Sequence, residues 1–549
     1  MRRKAVSLMV TLSLTATTMG MPVFAGETTF DENGISGRGQ LPISEENIEL
    51  DVFIVQLPQI CDLNENQVTI QLQEETNVTL NLNMVPSDTA KEKLNMLLMS
   101  GEYPDVIIGQ GIFSSTDMIT YGTEEQILIP LNDLIDQYCV NIQERWDEMP
   151  GVKDEMTSPD GNIYGIPTID SGGRGHTDVG NKMWINTEWL DAVGMEMPTT
   201  TDEFRAVLEA FRDKDPNGNG IQDEIPLTGA ANTWAGDPYL FLLNSFGYYN
   251  GAYYMQEGEI KTVYDQDWMR EGLEYIAGLY ADGLIDPAAF TQDEAQMSVV
   301  GNNPDTIIAG AASCGHIGMF ANINDVERAS QYVCLMPLTG SNGYCGIPYN
   351  KKVSVSSATF AITDKCKHPE AAIKIADLFC GAEWSIRASI GIQGIEWDVA
   401  DEGTVSMTGE LASYKYLYFA TDSSASQKVN SWNLTMRLME PNWKALFAVE
   451  GDLRSPENYE AFLYNQTIAY EPYAADVDII PDLKMDEETN AEFSNINTMV
   501  KDYVNQSIVE FITGKRSLEN DWDEYLTDLD RLGYYTQIQM VVDALAAQE

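Results

Sequence analysis

The sequence predicts an α/β protein built in more than one lobe, and three observations carry that prediction. The chain has 549 residues, 44% of them hydrophobic and 21% charged, enough apolar material for at least two cores of ordinary size. Residues 78–84 (VTLNLNM) alternate as a strand, residues 89–99 show helical spacing through Leu94, Leu97 and Leu98 up to Gly101, and residues 105–109 (DVIIG) form a short apolar run. That order is a βαβ unit, and it implies a parallel sheet covered by helices. A strand-then-helix pattern returns at residues 358–379, far along the chain.

Taken in order, residues 1–25 read as a secretory signal: MRRK, an apolar stretch, then Val23-Phe24-Ala25, so the mature chain is expected to begin at Gly26. A membrane anchor is the competing reading of that stretch, against a spanning length of roughly 20 apolar residues. Residues 26–46 are Gly-rich, polar and without period, which predicts a flexible leader. Thr200 and Glu203 stand at capping-box spacing, and Phe204, Val207, Leu208 and Phe211 follow at i, i+3, i+4 and i+7, so one amphipathic helix runs up to residue 213. Residues 358–362 (ATFAI) read as a strand, Pro369 suits the first position of a helix ending at Phe379, and Trp522, Tyr525, Leu526 and Leu529 mark a helix near the end.

The charge excludes several function classes. There are 85 acidic residues against 32 basic ones, a net charge of −53, and loss of Arg2, Arg3 and Lys4 with the leader makes the balance more negative still. Such a field repels nucleic acid and anionic membranes. Seven cysteines without a C-x-x-C pair suggest neither a redox motif nor a zinc ribbon, and their odd number leaves at least one thiol unpaired within the chain. No H-E-x-x-H, G-x-S-x-G, P-loop or dinucleotide fingerprint occurs.

The most specific stretch is DKDPNGNGIQDEIPL, residues 213–227. Calcium takes six to eight hard oxygens, and a loop supplies them from alternating Asp or Asn around a glycine that allows the sharp turn. Asp215, Asn217 and Asn219 alternate, Ile221 offers its backbone carbonyl, and Asp223 and Glu224 add carboxylates. The loop is not an EF-hand, because Pro226 occupies the twelfth position, where a bidentate Glu belongs, and an extended segment follows in place of an exit helix. An Asn/Gly turn with solvated acids is the plain alternative.

Together with this loop, the segments LMSGEYPDVI (98–107), LIPLNDLID (128–136), SPDGNIYGIP (158–167), MWINTEWLDAVGMEMPTTTDEF (183–204), PEAAIKIADLF (369–379) and FITGKRSLENDWDEYL (511–526) resemble the extracellular solute-binding proteins of carbohydrate ABC transporters, in their large oligosaccharide-binding branch. The resemblance runs from about residue 50 to 545. It implies a two-lobed periplasmic-binding-protein-like α/β fold with a hinge and an inter-lobe cleft, a structural Ca²⁺ in the loop, an oligosaccharide ligand, ABC permease subunits as partners, no enzymatic activity, and a secreted monomer working at the outer face of the membrane or in a periplasm. It places residues 47–166 with about 346–412 in lobe I, and residues 167–345 with about 413–549, including the calcium loop, in lobe II. Members from Gram-positive bacteria are usually anchored through a Cys after the signal; here no Cys precedes Cys61. A secreted glycoside hydrolase with a carboxylate pair, or a receptor for a peptide or other solute, is the alternative reading.

Sugars present apolar C–H faces bordered by hydroxyls, so their sites pair aromatic rings with a few polar groups. Trp184, Trp189, Trp443 and Trp522 stand in periodic settings and read as core. Trp234, in ANTWAGDPYLF, and Trp384 and Trp397, flanking a Gly-rich loop, are candidates for the cleft, with buried packing the competing account. Arg174, in SGGRGH, is either a fork to ligand hydroxyls or part of a flexible loop, and His316 and His368 read as structural or surface.

Overall fold

The computed structural model describes residues 28–548, apart from 58–59, 171–175, 232, 350–353, 418–429, 433–435, 437, 439–442, 482 and 484. The signal sequence and Arg174 therefore lie outside the described residues, as does the side chain of Trp443. Strands β1 (Ile48–Gln56), β2 (Val78–Pro86), β3 (Val106–Phe113), β4 (Ile166–Asp170), β5 (Met183–Asn186), β6 (Ile225–Thr228), β7 (Tyr253–Gln256), β8 (Glu259–Thr262), β9 (Ala309–Ser313), β10 (Tyr332–Leu335) and β11 (Ser354–Ile362) build the framework.

The first sheet has the order β2-β1-β3-β11-β4, with β1 parallel to both of its neighbours and β11 antiparallel to both of its own. The expected βαβ unit is present as β2, helix Ala90–Ser100 and β3. Its two strands do not touch, however, because β1 lies between them. Residues 52–55 (VFIV) are all buried, the signature of a strand covered on both faces, which suits it to the centre.

Residues 28–46 correct the expectation of a flexible leader. Ile35 and Ile43 are buried in the first core, the Ile43 amide donates to the Thr76 carbonyl at 2.9 Å, and the buried Lys374 ammonium donates to the Gly37 carbonyl at 2.8 Å. The few apolar residues of this stretch have no period, so only their long-range partners reveal the anchoring.

The second sheet has the order β10-β5-β9-β6, with β5 antiparallel to β9 and β10 and β6 parallel to β9. Helix Thr201–Asp213 carries the expected capping box, and Phe204, Val207, Leu208 and Phe211 are buried along it. Trp184, Trp189 and Trp522 are buried in this core, as their periodic settings predict. Helices Glu487–Ile512, Trp522–Arg531 and Tyr534–Ala546 close it from outside, and the buried Tyr534 hydroxyl donates to the Ala252 carbonyl at 2.6 Å.

The cores also correct one lobe boundary. Trp432, Met436 and Leu438 belong to the first core, and the second resumes at Tyr459, so the last crossing falls between residues 438 and 459 and not near 413. Ile347 belongs to the second core, moving the preceding crossing past it toward β11. Among the described residues no helix is long and apolar enough to cross a membrane. All seven thiols are free.

Candidate ligand edge and metal loop

The loop before β6 is a tight turn held by its own side chains. Asp215 takes a left-handed φ of 48°, and Gly218 and Gly220 take 70° and 76°, values a Cβ disfavours. The Asp215 carboxylate accepts from the amides of Asn219 (3.1 Å) and Gly220 (3.0 Å), Asn217 Oδ1 accepts from the Asn219 amide (3.0 Å), and Asn219 Oδ1 accepts from the Ile221 amide (2.6 Å). The chain thus coils with its side-chain oxygens turned inward.

Two features of this loop fit a divalent cation. The side-chain amides of Asn217 and Asn219 donate to the Asp223 carboxylate at 3.0–3.2 Å, holding positive dipoles where a cation's charge would serve better. Glu224 Oε1 is buried with no hydrogen-bond partner, and burial, then Asp223 and Asp215, push its carboxyl above the usual range. A buried acceptor without a donor costs about 1–3 kcal/mol, a cost that a coordinated cation removes. Among the described residues no three His, Cys, Asp or Glu side chains gather closely enough to hold a metal alone. The donor set therefore depends on amide and carbonyl oxygens as well, the mixture that suits Ca²⁺.

The face between the cores follows from topology. The carboxyl ends of β1, β2, β3 and β4 share one edge of the first sheet, where Asp170 pairs with Ser354. The chain leaves at Asp170 and enters the second sheet at Met183, which pairs with Ser313 of β9 and Leu335 of β10. The start of β5 and the carboxyl ends of β6, β9 and β10 therefore turn toward the first lobe. Ligands of open α/β sheets bind outside such strand ends. The candidate metal loop precedes β6 and so occupies the opposite end of the second sheet.

Trp234 stands on this edge. Its indole rests on two glycines: a Cβ added at Gly315 would come within 2.0 Å of the ring, and one at Gly180 within 3.6 Å. Trp234 is nonetheless 43% exposed. The His316 ring lies 6.1 Å from it, and His316 Nδ1 is 3.0 Å from the hydroxyl of buried Tyr459, which also accepts from the Gly318 amide at 2.8 Å. Three residues on, the Asp237 carboxyl is pushed up to about 6 by burial and accepts no hydrogen bond from the described residues. Its loop is pinned from behind by the Ser313 hydroxyl, 3.3 Å from both the Ala235 and Asp237 carbonyls. An open ring thus stands close in the chain to a carboxylate that lacks donors.

The other candidate rings correct the sequence reading. Trp384 is 5% exposed, with its ring 5.8 Å from Phe379 and the Arg387 guanidinium 4.5 Å over its centroid. Trp397 is 2% exposed, its indole N–H donates to the Gly391 carbonyl at 2.8 Å, and Tyr414 packs edge-on at 5.3 Å. Neither offers a face to a solute. Asp237 and His316 were not singled out by sequence reasoning as ligand groups; the signal available for His316 was its place in CGHIG, directly after an alanine-rich strand.

The glycine seat gives a direct expectation. Gly315→Ala should destabilise the protein by about 1–3 kcal/mol, the usual cost of overpacking. Because the clash is with Trp234, most of that cost should vanish in a Trp234→Ala background. Equal costs in both backgrounds, measured by urea denaturation, would show that the ring is not what Gly315 accommodates.

Residues 66–384 match the family model described as "Bacterial extracellular solute-binding protein". The chain is 27% identical over 498 residues to the fructooligosaccharide ABC transporter substrate-binding protein FusA of Streptococcus pneumoniae serotype 4, covering 87% of this chain and 88% of FusA. The solved structure of S. pneumoniae FusA in complex with kestose superposes with a TM-score of 0.74 at 26% identity, over 91% of this chain and 100% of that one. An EF-hand mutant of FusA in complex with fructo-nystose gives 0.73 at 26% identity, over 91% and 99%. With a family match over more than half its length, and with two separate α/β cores, the chain belongs to the bacterial extracellular solute-binding protein family.

Proposed function

We propose that this protein is the secreted receptor of an ABC importer, holding a neutral oligosaccharide between its two lobes and passing it to the permease. The observation that carries the reading is the exposed Trp234 ring, seated on glycine at the edge that faces the first lobe, with the donor-free Asp237 carboxylate three residues away. A flat ring takes the C–H face of a sugar, and a carboxylate without donors accepts its hydroxyls. FusA, at similar length, binds kestose, which supports the class of ligand. Closure of the lobes around their connecting segments would exclude water and present one combined surface to the permease. Ca²⁺ in the loop of Asp215, Asn217, Asn219, Ile221, Asp223 and Glu224 would fix the second lobe far from the ligand edge, and the FusA EF-hand mutant supports a related loop in that protein. In this reading the mature chain starts at Gly26, works as a monomer outside the cell, and performs no chemistry on its ligand.

A panel of neutral oligosaccharides that includes kestose, screened by thermal shift, tests the proposal, since a ligand that binds only the folded state raises its melting temperature. Trp234→Ala should weaken the best ligand by about 1–3 kcal/mol without a matching loss of stability. Unaltered affinity would remove Trp234 from the site. Shortened products in the same mixtures would favour the hydrolase.

A further inference from the structure

A second aromatic cavity lies wholly on the second lobe. It is an open hollow of about 430 Å³, and its walls come from residues 246–248, 254, 256, Trp268, 344–346 and 472–477. None of these residues belongs to the first core, so the walls come from the second lobe alone. Its volume falls in the range of about 300–1,000 Å³ typical of small-molecule sites.

The walls are rings held in place by backbone. Tyr248 and Tyr254 lie 5.0 Å apart at 60°. Trp268 packs over Gly247, where a Cβ would come within 2.2 Å of the indole, and the Tyr344 hydroxyl lies over Gly346, where a Cβ would come within 2.6 Å. Burial, reinforced by Tyr254 and Tyr248, pushes the Tyr344 phenol up to about 12, which fits three phenols converging on one space. The strands behind them are stitched: the Ile347 amide donates to the Tyr473 carbonyl at 3.0 Å, and Gln256 Nε2 donates to the Asp476 carbonyl at 2.9 Å. A rigid wall loses little entropy on binding.

The chemistry of the lining narrows the ligand. The hydroxyls of Tyr254 and Tyr344 make no hydrogen bond among the described residues, so two groups able both to donate and to accept are open to a guest. Among the described residues no Lys, Arg or His lines the cavity and Asp476 is the one charged side chain, a lining that does not favour a phosphate or carboxylate. Aromatic faces, uncommitted hydroxyls and the absence of cationic groups together match a neutral polyhydroxylated ring. We infer that this cavity is a second glycan-binding site, taking one or two neutral sugar units independently of the site between the lobes.

The full-length secreted protein, labelled with fluorotryptophan, separates the two sites by fluorine NMR, because Trp268 reports on the cavity and Trp234 on the inter-lobe edge. Kestose, maltotriose, xylotriose and diacetylchitobiose are titrated separately to about 10 mM, the range for weak sites. At least one should move the Trp268 resonance, and Tyr254→Phe with Tyr344→Phe, which keep the rings, should weaken that response roughly tenfold while leaving the Trp234 response unchanged. Movement of Trp234 without Trp268 for every sugar would overturn the second site and leave the proposed function standing. Movement of Trp268 alone would establish the cavity and count against the inter-lobe reading. No movement of either would overturn both, and a Trp268 response to galacturonate oligomers but to no neutral sugar would overturn the assignment of ligand class.

Discussion

Chelation of divalent cation is expected to lower the melting temperature by roughly 10 °C. A cation held about a thousandfold above its dissociation constant stabilises by about 4 kcal/mol, and a fold of this lobe's size loses about 2–4 °C per kcal/mol. The cause is local: without the ion, Glu224 Oε1 is left buried without a partner beside Asp223 and Asp215. Asp223→Ala should reproduce most of the loss, because Asp223 is the acceptor on which the Asn217 and Asn219 amides converge. Affinity for a verified ligand should change little once the protein is folded, since the loop and Trp234 lie at opposite ends of β6. Calorimetry with and without chelator, paired with elemental analysis, is the check. A wild-type melt indifferent to chelator, with no ion co-purifying, would end the metal reading.

Trp432→Ala should cost about 3–5 kcal/mol, the scale for deleting a large ring from a core. Trp432 is fully buried, stacks on Phe379 at 5.3 Å and 22°, and donates its indole N–H to Thr69 Oγ1 at 2.8 Å. The residues beside it are fastened too: the Trp432 amide donates to the Ala388 carbonyl at 2.8 Å, and Asn66 Nδ2 donates to the Ser431 carbonyl at 2.8 Å. Trp432→Phe keeps the stack and should recover much of the loss. Urea unfolding followed by a first-lobe probe reads the effect, and a change below about 1 kcal/mol would show that the segment does not anchor there.

What was legible in the sequence was what local chemistry decides. Thr200 and Glu203 announce a helix start because each needs the other's backbone amide, and the alternation around Asn217 and Asn219 announces a loop that turns oxygens inward. The central place of β1, the anchoring of residues 28–46 and the return of Trp432 depend on partners far away in the chain, and no local period encodes them. The tryptophans show the same limit. Glycine near Trp384 and Trp397 suggested openness, but Phe379 and Tyr414 cover those rings; glycine beneath Trp234 does the reverse and seats a ring whose outer face stays open. Asp237 was missed because nothing in its local sequence announces a buried carboxyl.

The contact between Trp432 and Thr69 spans 363 residues, and it bears on how the protein is made. A chain is synthesised at about 5–20 residues per second, so the amino-terminal lobe waits tens of seconds for the residues that finish its core. During that interval Thr69 has no indole to bond, and the half-built sheet, which lacks β11 until residue 362, exposes apolar surface of the kind that chaperones recognise.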